Sequence, residues 1–420
     1  MSPAVTAATA DCWDNTSVGA LDSVYATRPV SLAEVIPGRP VETAHGTCYR
    51  TGADYPLTLH YAGRPLERVL GIPGGSLAAL GRDRNLEGLG LKEACFIDTE
   101  TTGLAGGAGT YVFLVGLGRF TGDCFRVDQY FLEDFDREAA FVAALDEAFA
   151  GCKAVVSFNG RGLDLPCLET RFILCRRRAP LAGRPHLDLL GVARRLWRAR
   201  LPDCRLSTLE RTILGEERTD DIPGRFIPEL YFNYLRTRDA RLLTGVFEHN
   251  RRDVLALVGL TARAADMFEA FLGDPPGNGN EESEEVQALD LYALARLYRD
   301  TGRLQAAVRC YRSALATGLP EPLADQAALQ CVRLLRRLGR YQQAAALCEE
   351  FADSFPRRPW AFIELAKDYE HRLRDYDRAL AVVDRALGLF PASAAAEFEH
   401  RRRRLLLKQS RRVIPPLLHE

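Results

Sequence analysis

The order of short apolar runs between residues 94 and 190 restricts the fold of this chain more than any other feature. Three runs with the length and residue types of strands come first: ACFID (94–98), GTYVFLVGLGRF (109–120) and FRVDQYFL (125–132). Helical and strand-like stretches then alternate, with a helix near 136–150, a strand at 154–160, a helix near 162–178, a strand at 186–190 and helices to about 271. This order predicts an α/β domain at 91–271, with a mixed five-stranded sheet and flanking helices.

The segments on either side of this domain differ from it in composition. Residues 1–90 have weak periodicity and many Gly, Pro and Arg residues, which predicts an irregular N-terminal extension packed on the domain. Residues 272–285, LGDPPGNGNEESEE, contain Pro-Pro, three glycines and four glutamates. Because such a segment cannot bury a core, it is predicted to be a linker.

Residues 286–412 have a helical pattern that repeats itself. The segments GRLQAAVRCY, GRYQQAAALC and RDYDRALAVV align at Ala307, Ala344 and Ala379, with offsets of 37 and 35 residues. These offsets are close to the tetratricopeptide period of about 34 residues. A proline lies near the exit of each unit, at Pro320, Pro356 and Pro391. The pattern predicts an all-α tetratricopeptide-like array that binds a protein or peptide; an unrelated helical bundle is the alternative.

Charge and targeting signals limit the class of protein. The formal net charge is −1, and all but four of the 55 basic residues are arginine. Arginine suits phosphate groups, but a GC-rich genome gives the same bias, so composition does not decide whether nucleic acid is bound. The segment MSPAVTAATADCWDN lacks the features of a secretory signal, and no run approaches the roughly 18 apolar residues of a membrane span. The eleven scattered cysteines predict reduced, buried thiols in a cytoplasmic protein without a membrane partner.

Four carboxylates and a histidine occur at informative points of the predicted elements. Asp98 and Glu100 are two residues apart at the end of the first strand and therefore share a face. Asp164 opens a helix after the fourth strand, and His249 lies four residues before Asp253 on one helix face. Separately, these features are typical of a solvated turn, a helix N-cap and a polar helix start. Together they predict a site for two Mg²⁺ or Mn²⁺ ions, because buried like charges need cations and these ions prefer carboxylate oxygens.

The segments around these residues resemble the DEDD exonuclease superfamily, specifically its YprB-type ribonuclease H-like branch. They are FIDTETTGLAGGAGTYVFLVGLG (96–118), SFNGRGLDLPCLETRF (157–172), HLDLLGVARRLWR (186–198), CRLSTLE (204–210), DIPG (221–224) and EHNRRDV (248–254). The resemblance covers about residues 45–262 and implies a metal-dependent phosphodiesterase with four metal ligands, Asp98, Glu100, Asp164 and Asp253. It also implies that His249 is the general base beside the attacking water. One departure is the spacing of four to the final aspartate, which is that of tyrosine-type members, whereas histidine-type members typically have five positions between the two residues.

Neighbouring residues are candidates for binding substrate or supporting the carboxylates. Thr101 and Gly103 follow the first pair, and the glycine lets a ligand approach the backbone. Asn159 is interpreted as binding substrate or orienting Asp164, with a turn cap as the alternative. Asp188 is interpreted either as support behind the metal ligands or as a residue that only ends a strand; the structural interpretation is favoured.

Arginines form a candidate path for a nucleic-acid backbone. Residues 171–211 contain eleven arginines against three acidic residues, and Trp197 lies among them as a candidate for stacking on a base. Ordinary solvated helix faces are the alternative. A second basic cluster, RRRRLLLKQSRR (401–412), is interpreted as a basic cap on the repeats in preference to a nucleic-acid contact.

The leading hypothesis is a Mg²⁺- or Mn²⁺-dependent nuclease with a partner-binding repeat domain. A 3′-to-5′ exonuclease acting on single-stranded DNA or RNA fits the resemblance best. Two alternatives remain open: a scaffold that binds nucleic acid without cutting it, and a structure-selective endonuclease. The sequence does not distinguish exonuclease from endonuclease activity.

Overall fold

The computed structural model describes residues 28–103, 107–272 and 287–413. Its first part is built on a seven-stranded sheet in the order β1-β2-β7-β6-β5-β8-β9, beside a separate hairpin of β3 and β4. Neighbouring strands of the large sheet are antiparallel except for the parallel pairs β5–β8 and β8–β9, so the sheet is mixed, as predicted. The strands are β1 Gly38–Thr43, β2 Gly46–Pro56, β3 His60–Tyr61, β4 Arg64–Pro65, β5 Ala94–Thr101, β6 Val112–Thr121, β7 Cys124–Phe131, β8 Ala154–Ser157 and β9 His186–Asp188.

The sheet has two strands more than predicted because the N-terminal segment contributes β1 and β2. The prediction of an irregular extension is therefore wrong for residues 38–56. β2 pairs with β7, and β1 forms the edge. No residue of β1 is fully buried, and β2 buries only Cys48 and Tyr49. A strand that buries so few residues shows little apolar periodicity, and this explains why the sequence pattern missed it.

Helices cover both faces of the sheet. The helices of this domain are α1 Leu32–Val35, α2 Gly74–Gly81, α3 Glu138–Ala148, α4 Asp164–Leu174, α5 Leu189–Leu196, α6 Leu206–Leu209, α7 Ile227–Thr237 and α8 Thr244–Glu269. Helices α3, α4 and α7 share one apolar core with one face of the sheet, and α2, α5 and α8 share a second core with the other face. Among the described helices, none is long and apolar enough to cross a membrane.

Glycines in β6 determine how closely α8 packs on the sheet. A Cβ atom at Gly116 would collide with the side chains of Asn250 and Val254, and one at Gly118 would collide with Val254 and Phe125. Because both positions lack a side chain, α8 lies directly against β6 and β5. This close approach brings the polar start of α8 to the end of β5.

The C-terminal part is an array of paired helices, as predicted. Its helices are α9 Ala288–Asp300, α10 Leu304–Thr317, α11 Glu321–Arg337, α12 Tyr341–Ser354, α13 Pro359–Lys367, α14 Tyr376–Leu389 and α15 Ala392–Val413. The aligned alanines lie in α10, α12 and α14, and each is fully buried. Small residues at these positions let the helices cross closely, which is the basis of a tetratricopeptide-like repeat.

The repeats pack directly on the α/β domain. Helix α9 packs on α5, and Arg200 Nε lies 2.9 Å from Asp290 Oδ1. Arg303 Nη2 donates to the carbonyl oxygen of Gly75 (3.3 Å), and one apolar core continues from the sheet into the repeats. The predicted linker, 272–285, falls outside the described residues except for Leu272.

Three residues of the basic cluster on α15 bind to one buried carboxylate of the repeats. Glu370 is 1% exposed, and its carboxylate accepts hydrogen bonds from Arg401, Arg404 and Lys408 at 2.6–2.9 Å. These bonds hold the pKa of Glu370 down at about 2, although burial alone would raise it. The cluster therefore attaches the last helix to the array, in agreement with the cap interpretation.

One pair of cysteines lies close together in the core. The Cα atoms of Cys95 and Cys152 are 5.7 Å apart, and the reduced state of the thiols stays a prediction. The parallel pairing of β5 with β8 places the starts of these strands side by side, and Cys152 lies just before β8. This pairing is not visible as a sequence spacing. The other cysteines of the described residues are free thiols.

A charge pair tests the junction between the two parts. Arg200→Met keeps the packing of the side-chain stem but leaves Asp290, 6% exposed, without its hydrogen-bonded cation. We expect the free energy of unfolding to fall by about 3 kcal/mol, because an unpaired buried charge remains. Urea denaturation measures this change. The double variant Arg200→Met/Asp290→Asn should recover most of the loss, and an unaffected single variant would contradict a structural role for the pair.

Candidate active site

The first two predicted ligands lie at the C-terminal end of β5, an internal strand of the sheet. Asp98 and Glu100 of β5 are partly exposed and alternate with the buried Thr99 and Thr101, so they share a face, as predicted. The pairing of β5 with β6 is irregular between Glu100 and Thr101. The regular pairing of β5 with β6 therefore ends directly after the two acidic residues, Asp98 and Glu100.

A buried amide network fixes Asp98. Asn250 Nδ2 donates to Asp98 Oδ2 at 2.8 Å and to the backbone oxygen of Asp98 at 3.2 Å. Gln129 Nε2 in turn donates to Asn250 Oδ1 at 2.8 Å. Asn250 is fully buried in α8. The sequence analysis missed this residue; its only signal is an amide at a position of the helix that faces the core.

Asp164 is held at the start of α4. It is the first residue of that helix, as predicted, and Leu163 is the N-cap residue, so the alternative of a capping aspartate does not apply. Thr99 Oγ1 donates to Asp164 Oδ1. Asp164 is 5% exposed. This bond connects the helix to the strand that carries the first acidic pair.

Asp253 is paired with an arginine that the sequence analysis did not identify. Arg218 Nη2 donates to Asp253 Oδ1, and the same guanidinium contacts Glu210 and Asp221. Arg218 lies in the loop before α7, within an acidic stretch, EERTDD, where one arginine carries no distinguishing pattern. Its role follows only from the packing of that loop on α8.

His249 faces the same site as Asp253. Its Nε2 atom lies 3.6 Å from Asp253 Oδ2, and its Nδ1 atom lies 2.9 Å from Asp221 Oδ1. A carboxylate at Nδ1 assigns the ring proton of the neutral imidazole to that nitrogen, which leaves Nε2 as an acceptor. Asp221 belongs to the DIPG segment, but the sequence analysis assigned it no role.

Burial and mutual repulsion raise the pKa values of the acidic residues. The pKa of Asp98 lies well above its usual range because of burial and the charges of Asp253, Glu100 and Asp164. The pKa of Glu100 is raised likewise by burial, by Asp253 and by Asp164. Burial raises the pKa of Asp164 to about 6, against the hydrogen bond from Thr99. The site therefore carries more negative charge than its own cations neutralise.

The chemistry of this donor set fits a hard divalent cation, although its arrangement is not that of a metal site. Within the described ranges, no three His, Cys, Asp or Glu side chains are placed to hold an ion. Asp253 faces Arg218, and Asp164 faces Thr99. Carboxylates with raised pKa values nevertheless favour a cation that replaces their protons.

Two of the remaining candidates shape the loop between β8 and α4. Asp188 accepts hydrogen bonds from the backbone amides of Asn159 (3.0 Å), Arg161 (3.1 Å) and Leu190 (3.0 Å). It is the N-cap residue of α5, in line with the structural interpretation, and support of the metal ligands by Asp188 stays a prediction. Asn159 adopts a left-handed backbone conformation, with φ of 63°, where asparagine is tolerated better than most residues.

The residues after Glu100 form a turn at the open end of β5. Thr101 Oγ1 donates to the carbonyl oxygen of Gly103 at 2.9 Å. Among the described residues, a Cβ atom at Gly103 would have no neighbour within 4 Å. Residues 104–106 lie outside the described part of the chain. Substrate binding by Thr101 and Gly103 stays a prediction.

Trp197 does not bind substrate, and that prediction is wrong. The residue is 2% exposed and belongs to the core shared by α5, α8 and the repeats. A ring enclosed by side chains has no face on which a base can stack. Its arginine-rich neighbourhood predicted an exposed position, but several of these arginines donate hydrogen bonds to other parts of the protein.

A cleft of about 720 Å³ extends from the acidic residues. Asp98 and Asp253 lie in its wall together with three arginines that follow or belong to α5, namely Arg194, Arg198 and Arg205. Other arginines of the predicted path have structural partners: Arg171 with Glu138, Arg177 with Asp146, Arg195 with Leu80 and Arg200 with Asp290. The candidate basic path thus contains fewer arginines than predicted, and those that line the cleft lie beside Asp98 and Asp253.

A mixed sheet with carboxylates at the C-terminal end of the internal strand β5, followed by paired helices, defines a ribonuclease H-like domain with tetratricopeptide repeats. The RNase_H superfamily model matches residues 95–265, and a tetratricopeptide repeat model matches 288–358. YprB of Bacillus subtilis (strain 168) is 31% identical over 350 residues, which cover 81% of this chain and 80% of that protein. The chain belongs to the YprB family.

The raised pKa of Asp164 has a consequence for stability in the absence of divalent cations. Because the pKa is raised from 3.8 to about 6, its stabilising contribution is complete below about pH 4 and is lost as the pH rises through 6. In EDTA we expect Asp164→Asn to exceed wild type in free energy of unfolding by at most about 3 kcal/mol above pH 6, and to match it below pH 4. Asparagine keeps an oxygen for Thr99 but carries no charge.

Urea denaturation between pH 4 and pH 8 measures this difference. The exposed Asp123 provides a matched control, since Asp123→Asn removes one charge without burial and should shift stability little at any pH. If Asp164→Asn and wild type have equal free energies of unfolding above pH 6, the pKa of Asp164 is not raised in the folded protein.

Proposed function

We propose that this protein is a Mg²⁺- or Mn²⁺-dependent nuclease that hydrolyses phosphodiester bonds of single-stranded nucleic acid, as a 3′-to-5′ exonuclease. Membership in the ribonuclease H superfamily supports a nucleic-acid-cleaving enzyme in general terms. One observation supports the finer proposal most strongly: a cleft whose arginines lead to closely spaced carboxylates with raised pKa values. Polarity and the exonuclease mode rest on the resemblance to DEDD exonucleases.

Four carboxylates would hold the cations, namely Asp98, Glu100, Asp164 and Asp253. When bound, two divalent ions would lower the pKa of a water molecule and neutralise charge on the leaving oxygen. The protein holds one oxygen of each of three ligands through Asn250, Thr99 and Arg218, respectively. Such partners orient a ligand and leave its other oxygen free.

His249 would accept the proton of the attacking water. Its Nε2 atom is the acceptor of the neutral ring, because Nδ1 carries the ring proton and donates a hydrogen bond to Asp221 Oδ1. Once the ring is protonated, the carboxylate of Asp221 stabilises the imidazolium. The same pair keeps the ring directed at the acidic site throughout the step.

The cleft would hold the backbone of the substrate. Arg194 and Arg198 are exposed and lie four residues apart on one side of α5 and its C-terminal end. Guanidinium groups at this spacing suit successive phosphates of an extended strand. The repeats would recruit a protein or peptide partner, for which the tetratricopeptide match is the support.

A scaffold that binds nucleic acid without turnover is the second candidate. The pairing of Asp253 with Arg218 and the absence of a three-ligand arrangement among the described residues favour it. The electrostatic cost of four mutually repelling carboxylates argues against it, because a binding surface for phosphate gains nothing from acidic residues in its wall.

Cleavage of end-labelled substrates tests the proposal. We expect purified protein to degrade single-stranded DNA or RNA in Mn²⁺ but not in EDTA, and Asp98→Ala to lower the rate at least about 100-fold, since several kcal/mol of transition-state stabilisation depend on the ligands. Asp123→Asn is the control for loss of one acidic residue. A ladder from the 3′ end identifies the exonuclease mode, and a discrete internal product identifies an endonuclease. Undiminished cleavage by Asp98→Ala would refute the assigned site.

The arginines of the cleft make a separate prediction about binding. In an Asp98→Ala background, Arg194→Gln/Arg198→Gln should weaken single-strand binding roughly 10-fold near 0.1 M salt and lower the slope of log affinity against log salt by about 1.4, because two phosphate contacts are lost. Fluorescence anisotropy at several salt concentrations measures both. The double variant Arg402→Gln/Arg403→Gln on α15 removes the same charge elsewhere, and an equal effect there would show that the cleft is not the path.

A further inference from the structure

The geometry points to Arg218 as a positioning residue that joins Asp253 and His249 into one unit; this inference rests on the proposed nuclease function. The residue does not line the cleft, and no family motif quoted above contains it. Its contacts nevertheless connect a proposed metal ligand with the proposed base.

Arg218 contacts three carboxylates at once. Its Nη2 atom donates to Asp253 Oδ1 and to Glu210 Oε1 (2.8 Å), and its Nη1 atom donates to Asp221 Oδ2 (3.1 Å). The other oxygen of Asp221 lies 2.9 Å from His249 Nδ1. The chain of contacts therefore runs from Asp253 through Arg218 and Asp221 to His249.

The guanidinium is anchored from behind and is not free to turn. Its side chain is 12% exposed, and Glu210 is 2% exposed. Tyr61 of the β3–β4 hairpin donates its hydroxyl proton to Glu210 Oε1 at 3.2 Å, and the amide of Ala62 donates to Glu216 at 2.9 Å. The hairpin thus supports the loop that carries Arg218. Both hairpin residues precede the segment that matches the superfamily model.

This anchoring assigns different roles to the two oxygens of Asp253. Oδ1 is occupied by Arg218, and Oδ2 remains, 3.6 Å from His249 Nε2. Because Arg218 also holds Asp221, it fixes the separation between the free ligand oxygen and the basic nitrogen. A planar guanidinium with several donors suits this task, whereas an ammonium group is a point charge that cannot bridge three carboxylates in one plane.

The opposite role is that Arg218 competes with the cation for Asp253. A competitor would be displaced on cation binding, so that its removal would tighten binding and preserve turnover. A positioning residue behaves differently, because its removal leaves binding nearly unchanged and slows the reaction. The two roles therefore predict different combinations of affinity and rate.

The test uses the full chain with Arg218→Gln, Arg218→Lys and the control Arg236→Gln, which removes an exposed arginine of α7. Electron paramagnetic resonance measures Mn²⁺ affinity, and steady-state cleavage of labelled single-stranded DNA measures kcat and KM. For Arg218→Gln we expect kcat to fall 10- to 100-fold with KM within about twofold and Mn²⁺ affinity within about threefold. Arg218→Lys should recover part of kcat. Mn²⁺ binding more than tenfold tighter with unchanged kcat would overturn the proposal in favour of competition.

Two further measurements keep the result unambiguous. The double variant Arg218→Gln/Glu210→Gln removes the buried charge that Arg218→Gln would strand, so a lasting loss of kcat in a folded double variant is not a loss of fold. Nitrogen-15 NMR of the imidazole rings reports the His249 tautomer without any substrate. We expect one Nδ1-protonated form in wild type and a mixture in Arg218→Gln.

The NMR result also separates this inference from the proposed function. If wild type cleaves nothing, the nuclease proposal fails, while a changed His249 signal in Arg218→Gln still supports the positioning role. If wild type cleaves but Arg218→Gln keeps both its kcat and its His249 signal, only the inference about Arg218 fails.

Discussion

The close packing of α8 on β6 is the constraint on which the rest of the site depends. Gly116 and Gly118 leave no side chain between helix and sheet, so Asn250 reaches the backbone and carboxylate of Asp98. A sheet with larger residues at these positions would keep the helix further away, and the acidic residues of strand and helix would then be solvated separately. Distance, and not residue type alone, makes these carboxylates one electrostatic unit, because charges interact strongly only at short range in a poorly solvated environment. The glycines of β6 thus set the distance between α8 and the carboxylates of β5, and with it the strength of their interaction.

Placing these carboxylates close together destabilises the folded protein, and neighbouring side chains reduce this destabilisation. Hydrogen bonds from neutral donors hold Asp98 and Asp164, and a cation holds Asp253. None of these partners cancels the excess negative charge, since burial and repulsion still raise the pKa values of Asp98 and Glu100. Structural carboxylates in the same protein are treated differently. Glu370 is 1% exposed, but three cationic side chains donate hydrogen bonds to it and lower its pKa. The contrast between a neutralised buried acid and a group of unneutralised ones separates a structural role from a site that favours an added cation.

The sequence predicted those features of the fold and site that depend on residue spacing within one helix or strand. The alternation along β5, the opening of α4 by Asp164, the shared helix face of His249 and Asp253, and the buried alanines of the repeats all depend on spacing along one element. Features that depend on contact between segments distant in the chain could not be predicted from the sequence. Trp197 is enclosed because α9 packs on α5, and Cys95 meets Cys152 only because two parallel strands start together. Likewise, Arg218 has no recognisable spacing to Asp253. The two edge strands were missed for another reason, since they bury too few residues to produce a period.

Helix α5 connects the two halves of the protein. Leu190 and Arg194, on one side, line the cleft beside the acidic residues, while Val192, Ala193 and Leu196 belong to the core that continues into the repeats. A short helix with one side facing the cleft and another facing the repeats cannot shift against the repeats without moving the arginines of the cleft. The repeats are therefore part of the support of the cleft. An α/β domain without them would expose the apolar side of α5, so its arginines would lose the rigid backing that fixes their spacing. Packing at this junction, more than the length of the connecting segment, determines how the two parts act together.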